Sequence, residues 1–145
     1  MEDRKYYHYV FTTYKRQFIL SEEIRKYLRA WFRDIAKEKR FEIVATSILG
    51  DHIHLLVEQK INDSPEYIMK CIKGASSHRL FKFYPNTNRF VYRKLWGSSY
   101  SCREIPESEL KTIANYIRNQ TDKMGVDKRF KAKYKVEPRR LASGS

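Results

Sequence analysis

Residues 50 to 59, GDHIHLLVEQ, place two of the chain's four histidines, His52 and His54, one residue apart inside a segment that otherwise reads as a strand. Strand positions i and i+2 share a face, roughly 6.5 Å apart along the chain. Both imidazoles can therefore aim at one point, while Ile53, Leu55 and Val57 turn to the opposite side and the core. Two converging imidazoles are either the start of a metal site or a hydrogen-bonded pair on a sheet surface. A metal site needs more. Asp51 is out of phase with the pair and is set aside, and Glu58 shares the face but stands two pleats beyond His54. Cys71 or Cys102, brought in by folding, would favour zinc and with it a zinc-dependent hydrolase.

The second group with chemical potential lies in NYIRNQ, residues 115 to 120. At about 100° per residue, Tyr116 and Gln120 project from neighbouring turns of a helix, roughly 70° to 110° to one side of its apolar stripe. They share the border between core and water. A tyrosine at such a border, one of eleven in the chain, is by type a packing or surface residue.

These residues depend on the elements that carry them. YYHYVFTTY (6 to 14) is dense in aromatic and β-branched types and predicts a strand. Ser21 is a good N-cap, with Glu22 and Glu23 in the first turn, and Ile24, Leu28, Trp31 and Ile35 make the inward stripe of a helix. FEIVATSIL (41 to 49), the Gly50-Asp51 turn and HIHLLVEQ (52 to 59) predict a hairpin. Ser64-Pro65 opens a second helix reaching about Phe81, with Ile68, Ile72 and Ala75 inside. YPNTNR (84 to 89) is turn-rich, KLWGSSYSCREI (94 to 105) contains a fourth strand, and ESELKTIANYIRNQ (107 to 120) is a helix with Leu110, Ile113, Ala114 and Ile117 at helical spacing. The order predicts an α+β, ferredoxin-like βαββαβ antiparallel sheet with an appended C-terminal helix that carries the tyrosine. Residues 1–121 read as a single domain, catalytic if the resemblance given below holds, and 122–145 as a basic C-terminal tail.

Composition narrows the partner. Thirty Lys and Arg against 17 acidic residues give a net charge of +13, which favours a polyanion, nucleic acid first and an anionic membrane surface second. Hydrophobic residues at 41% and aromatics at 14% argue against disorder. Two cysteines without CxxC spacing exclude a disulfide framework. No apolar run approaches the roughly 20 residues of a membrane span, and MEDRKYYHY has no secretory signal, so a cytoplasmic location is expected.

GDHIHLLVE, IKGASSHRL, KLWGSSYSCREI and NYIRNQ follow one another in an order and spacing that resemble the single-tyrosine HUH transposases of insertion sequences (the insertion sequence 200/605-like group) and the related repeat-associated tyrosine transposases. The resemblance runs from VFTTYKRQFIL, residues 10 to 20, to Gln120. Its specific parts are the His-hydrophobic-His motif and the Tyr-x-x-x-Gln helix. It implies that His52 and His54 are metal ligands, that Gln120 is the third, that the ion is Mg²⁺ or Mn²⁺, and that Tyr116 is the nucleophile. It further implies a transposase of a prokaryotic cell that cleaves and rejoins single-stranded DNA through a 5′-phosphotyrosine link, a homodimer with shared active sites, and hairpin DNA ends. REIPESE, residues 103 to 109, stands where many relatives have a glycine-containing turn. Lys70, Lys73, Arg79 and Lys82 on the second helix, with Lys123, Lys128 and Arg129 in the tail, are the expected DNA contacts. The competing reading is a catalytically silent single-stranded DNA or hairpin-binding protein of the same fold. The intact set of His52, His54, Tyr116 and Gln120 argues for the enzyme.

Overall fold

The computed structural model describes residues 3–85 and 94–123, the side chains of 121–123 excepted. Three antiparallel pairings join four strands, β1 (Arg4–Thr13), β2 (Glu42–Ile48), β3 (His52–Lys60) and β4 (Trp96–Ile105), in the order β2-β3-β1-β4. Helices α1 (Glu22–Lys39) and α2 (Pro65–Phe83) complete the βαββαβ order, and α3 (Leu110–Lys123) is appended. This is the expected ferredoxin-like sheet. Short 3₁₀ turns at Tyr14–Arg16 and Glu107–Glu109 follow β1 and precede α3.

Side-chain alternation divides the molecule. Tyr9 and Phe11 of β1 and Ile53, Leu55 and Val57 of β3 face α1 and α2, where they meet Ile24, Leu28, Phe32, Ile35, Ile68, Ile72 and Leu80 in the main core. The opposite face holds a smaller core in which Ala114 and Ile117 of α3 pack on Ala45, Leu56 and Ile105. One polar pair sits on the main-core side without strain, because the Tyr9 hydroxyl donates to Gln59 Oε1 at 2.6 Å.

Local chemistry sets the helix starts as expected. Ser21 and Ser64 accept from the backbone N–H groups of Ile24 and Tyr67, and Pro65 occupies the first turn of α2. The phase of α1 differs. Phe32 and Ala36 enter the core with Ile24, Leu28 and Ile35, while Trp31 remains partly exposed and stacks on Tyr27 at 5.8 Å. The buried arc is rotated toward position 32, so the bulkier indole falls at its rim. In α2 the inward position is likewise Ser76, which accepts from Trp96 Nε1 at 2.9 Å, and Ala75 is only partly covered. The turn-rich stretch leaves the described residues after Pro85, and so does the basic tail beyond Lys123. No helix among the described residues is long and apolar enough to cross a membrane.

Truncating Phe32 leaves a cavity in the main core. Phe32→Ala is expected to cost about 3–5 kcal/mol in denaturant unfolding, and Trp31→Ala about half of that or less. Equal losses would contradict the phase of α1.

Candidate active site: two histidines and a tyrosine on one sheet face

His52 and His54 project from alternate positions of β3 onto the face covered by α3. Their ring centroids lie 5.2 Å apart. Tyr116 brings its ring edge-on to His54, with centroids at 6.2 Å, and stays 49% exposed. The burial of Ile117 explains this aim: Tyr116, one residue earlier, is turned about 100° from it, out of the small core and over the histidines. Gln120, half-buried one turn beyond Tyr116, joins the same side of α3.

Each imidazole has its Nδ1 engaged. His52 Nδ1–H donates to Asp51 Oδ1 at 2.8 Å, and Arg16 donates to Asp51 Oδ2 at 3.1 Å. The Asp51 carbonyl accepts the backbone N–H of Thr13 at 2.9 Å, which ties this turn to the end of β1. Lys15 and Arg16 take left-handed φ values of 55° and 51°. Non-glycine residues adopt these only under constraint, and the resulting bend returns the Arg16 guanidinium to Asp51. Asp51 precedes the strand, so strand phase does not govern it. Setting it aside as a ligand missed its part in orienting His52.

His54 Nδ1 lies 3.0 Å from Nε2 of His8 on β1, and the two rings meet edge to edge, with centroids 5.2 Å apart and planes 27° from each other. His8 was not singled out from the sequence. Three of the four histidines meet here, although only two are neighbours along the chain. Its signal is the even position in β1, which the register with β3 places on the histidine face.

Charge is excluded from the centre and present at its margin. Burial, then the positive charge that His52 and His8 would carry, push His54 down to about 4. Burial and the Arg103 guanidinium lower His8 as well. For Asp51, burial acts upward, but the His52 hydrogen bond and charge, then Arg16, outweigh it and hold the carboxyl below its ordinary range. The site thus pairs a buried neutral imidazole with a second one backed by a carboxylate.

Those features fit a metal that takes nitrogen. A ring whose only hydrogen is on Nδ1 keeps its Nε2 lone pair available, and Asp51 favours that state for His52. Ser47, opposite His54 in the β2–β3 register, has a buried hydroxyl without a partner among the described residues. Among the described residues, no group of three or more His, Cys, Asp or Glu side chains is placed to hold an ion. Cysteine cannot complete the set: Cys102 pairs with Tyr9 on the main-core side of the sheet, and Cys71 lies on α2. The zinc–cysteine alternative fails on that geometry.

The family model described as "Transposase IS200 like" matches residues 2–120. The chain belongs to the IS200-like transposase family. It is 30% identical over 118 residues to the ISDra2 transposase TnpA of Deinococcus radiodurans, covering 81% of this chain and 84% of that protein. It is 32% identical over 124 residues to the transposase for insertion sequence element IS200 of Salmonella typhimurium, covering 82% and 80%. A crystal structure of a candidate transposase from Deinococcus radiodurans superposes with a TM-score of 0.67 at 30% identity, over 83% of this chain and 93% of that one. A REP-associated tyrosine transposase bound to a REP hairpin shares the fold, with a TM-score of 0.62 at 17% identity over 86% and 70%.

The transposase distributes its basic residues unevenly. Lys70 and Lys82 are exposed on α2, and Arg79 of the same helix faces Asp34 at 3.7 Å. Lys73 donates to the carbonyls of Gly97 and Ser99 at 2.9 and 3.1 Å, bracing α2 against β4. All four belong to the helix on the far face of the sheet from His52, His54 and Tyr116. Arg103, opposite His8 on β4, is a cation on the histidine face. The Lys123 side chain, Lys128 and Arg129 lie outside the described residues.

A folded-state pKa near 4 for His54, against about 6.5 in the unfolded chain, means that between these values the unfolded state binds a proton the folded state refuses. Its contribution to stability is full above pH 6.5 and lost as pH falls toward 4. His8 acts in the same direction. With EDTA present, the melting temperature of the transposase should fall across that window, and more steeply than that of a His54→Phe variant. A flat profile would contradict the buried neutral ring.

Proposed function

We propose that this transposase cleaves and rejoins single-stranded DNA with Tyr116 as nucleophile, at a site where His52, His54 and Gln120 hold Mg²⁺ or Mn²⁺. The observation that carries this reading is the half-exposed phenol of Tyr116 standing edge-on over His54, on the face that also presents His52. In the step itself the Tyr116 oxygen attacks a backbone phosphorus. An O–P bond to tyrosine forms, the P–O3′ bond breaks, and the phenolic proton is lost while the departing 3′-oxygen gains one. The product is a 5′-phosphotyrosine link and a free 3′-hydroxyl. The link keeps the energy of the broken bond, so another 3′-hydroxyl can attack it, regenerate the phenol and join new ends without ATP. The ion, when bound, supplies Lewis-acid polarisation of the phosphoryl oxygen.

The chain's own residues contribute position. Ala114 and Ile117 fix α3 on the sheet, so Tyr116 is presented without needing a loop. Asp51 and Arg16 hold the His52 ring. The net charge of +13 supports a DNA substrate, and the hairpin bound by the REP-associated structural relative supports a strand with a folded end. The homodimer with shared active sites belongs to the same reading, and it is compatible with a sheet whose edge strands, β2 and β4, pair on one side only among the described residues.

Incubating the chain with labelled, hairpin-containing single strands tests the nucleophile. Wild type should give a covalent adduct on a denaturing gel, whereas Tyr116→Phe should retain the strand in a native gel and give none. Adduct formation by that variant would move the nucleophile elsewhere, and retention without adduct by wild type would favour a silent binding protein.

Two imidazoles and an amide are neutral donors, whereas Mg²⁺ prefers anionic oxygen. The missing charge is that of the DNA phosphate. Calorimetry should therefore find weak Mg²⁺ binding to the free chain and at least about tenfold tighter binding with single-stranded DNA, a gain of about 1.4 kcal/mol. Tight Mg²⁺ binding to the free chain would contradict this donor set.

A further inference from the structure

We propose that His8 is a positioning residue for His54: its Nε2 accepts the Nδ1–H of His54, fixing the ring and leaving the His54 Nε2 lone pair bare. The inference rests on the reading of His54 as a metal ligand and extends it to a residue on another strand.

The geometry requires a specific arrangement of protons. His8 Nε2 and His54 Nδ1 are 3.0 Å apart, so one nitrogen carries the hydrogen and the other accepts it. If His8 donated, the hydrogen of His54 would sit on Nε2, and that nitrogen could bind no cation. If His54 donates, Nε2 is a lone pair. Only the second arrangement serves a ligand.

Two further features favour that state. The rings lie edge to edge and close to coplanar, with centroids 5.2 Å apart and planes 27° from each other, so the hydrogen bond runs nearly in the plane of both. A flip of the His54 ring would carry Nδ1 away from His8 and leave a polar atom unpaired in a side chain that is 8% exposed. The position in β1 is also informative. Strands favour β-branched and aromatic residues there, yet at position 8 the chain carries an imidazole whose nitrogen faces another.

The result mirrors the other half of the site. Asp51 accepts the Nδ1–H of His52 at 2.8 Å, and His8 does so for His54 at 3.0 Å. The two partners differ in charge. Asp51 brings a negative charge to the ring it holds, whereas a neutral imidazole holds orientation without adding one.

Long-range ¹H–¹⁵N correlation spectra of the ¹⁵N-labelled, metal-free chain, at mildly alkaline pH, read the tautomers directly. The expected result is His54 protonated at Nδ1 and bare at Nε2. A hydrogen on His54 Nε2 in the wild-type chain would overturn the assignment, and this readout needs no variant to fold. His8→Phe keeps a ring and removes the acceptor, so His54 should become a mixture of tautomers. In calorimetry with Ni²⁺ alone, that variant should bind about 10- to 100-fold more weakly than wild type. His8→Gln, which restores an acceptor, should recover most of the loss. Unchanged tautomer and Ni²⁺ affinity in a folded His8→Phe would also overturn the proposal. If the wild-type tautomer is as stated but Ni²⁺ fails to bind even to wild type, the metal reading falls and the His8–His54 assignment stands.

Discussion

Alternation along β3 governs everything else in the molecule. Ile53, Leu55 and Val57 are drawn into the main core by the apolar surfaces of α1 and α2, and burial of three such side chains stabilises by several kcal/mol together. The pleat then leaves His52 and His54 no choice of face. A shift of one residue in register would expose the apolar three and bury both imidazoles against α1 and α2. The position of the histidines is thus enforced by their neighbours.

The same constraint explains the electrostatics. Because α3 covers the histidine face only in part, His54 is nearly dry while Tyr116 remains half exposed. A protonated ring would be costly at His54, and the structure answers with a neutral partner there and a carboxylate one position earlier. Asp51 keeps its charge because Arg16 and His52 both approach it, and Arg16 does so from a turn with left-handed backbone.

Legibility in the sequence followed the range of the interactions. Ser21, Ser64-Pro65 and the Gly50-Asp51 turn act over three or four residues, and each produced the predicted boundary within a residue or two. The alternation of β3 was equally local, so the His52–His54 pair and the face of Ile53, Leu55 and Val57 could be read directly. His8 could not. Its role depends on the register of β1 against β3, a pairing across more than forty residues that carries no local signal. Asp51 stands in the turn before β3, where strand phase does not reach, so its hydrogen bond to His52 carries no signal in the alternation. Helix spacing shows which of Lys70, Lys73, Arg79 and Lys82 share a side of α2, but not which face of the sheet the helix covers.

That last point bears on how a polyanion can meet the site. α2 and α3 are separated by the sheet, so phosphates lying on Lys70 and Lys82 cannot at once lie on Tyr116 of the same chain. Charge near the phenol must come from elements of its own face, and Arg103 on β4 is placed there beside His8. Glu109 lies 3.9 Å from Arg103, but both side chains are more than half exposed, so the pairing is weak and readily exchanged for a phosphate. From β4 across β1 to β3 this face presents Arg103, then His8, then His54 with Tyr116 over it. The sheet thus sets the α2 cations Lys70 and Lys82 and the histidine–tyrosine group on different faces, and its register fixes that group.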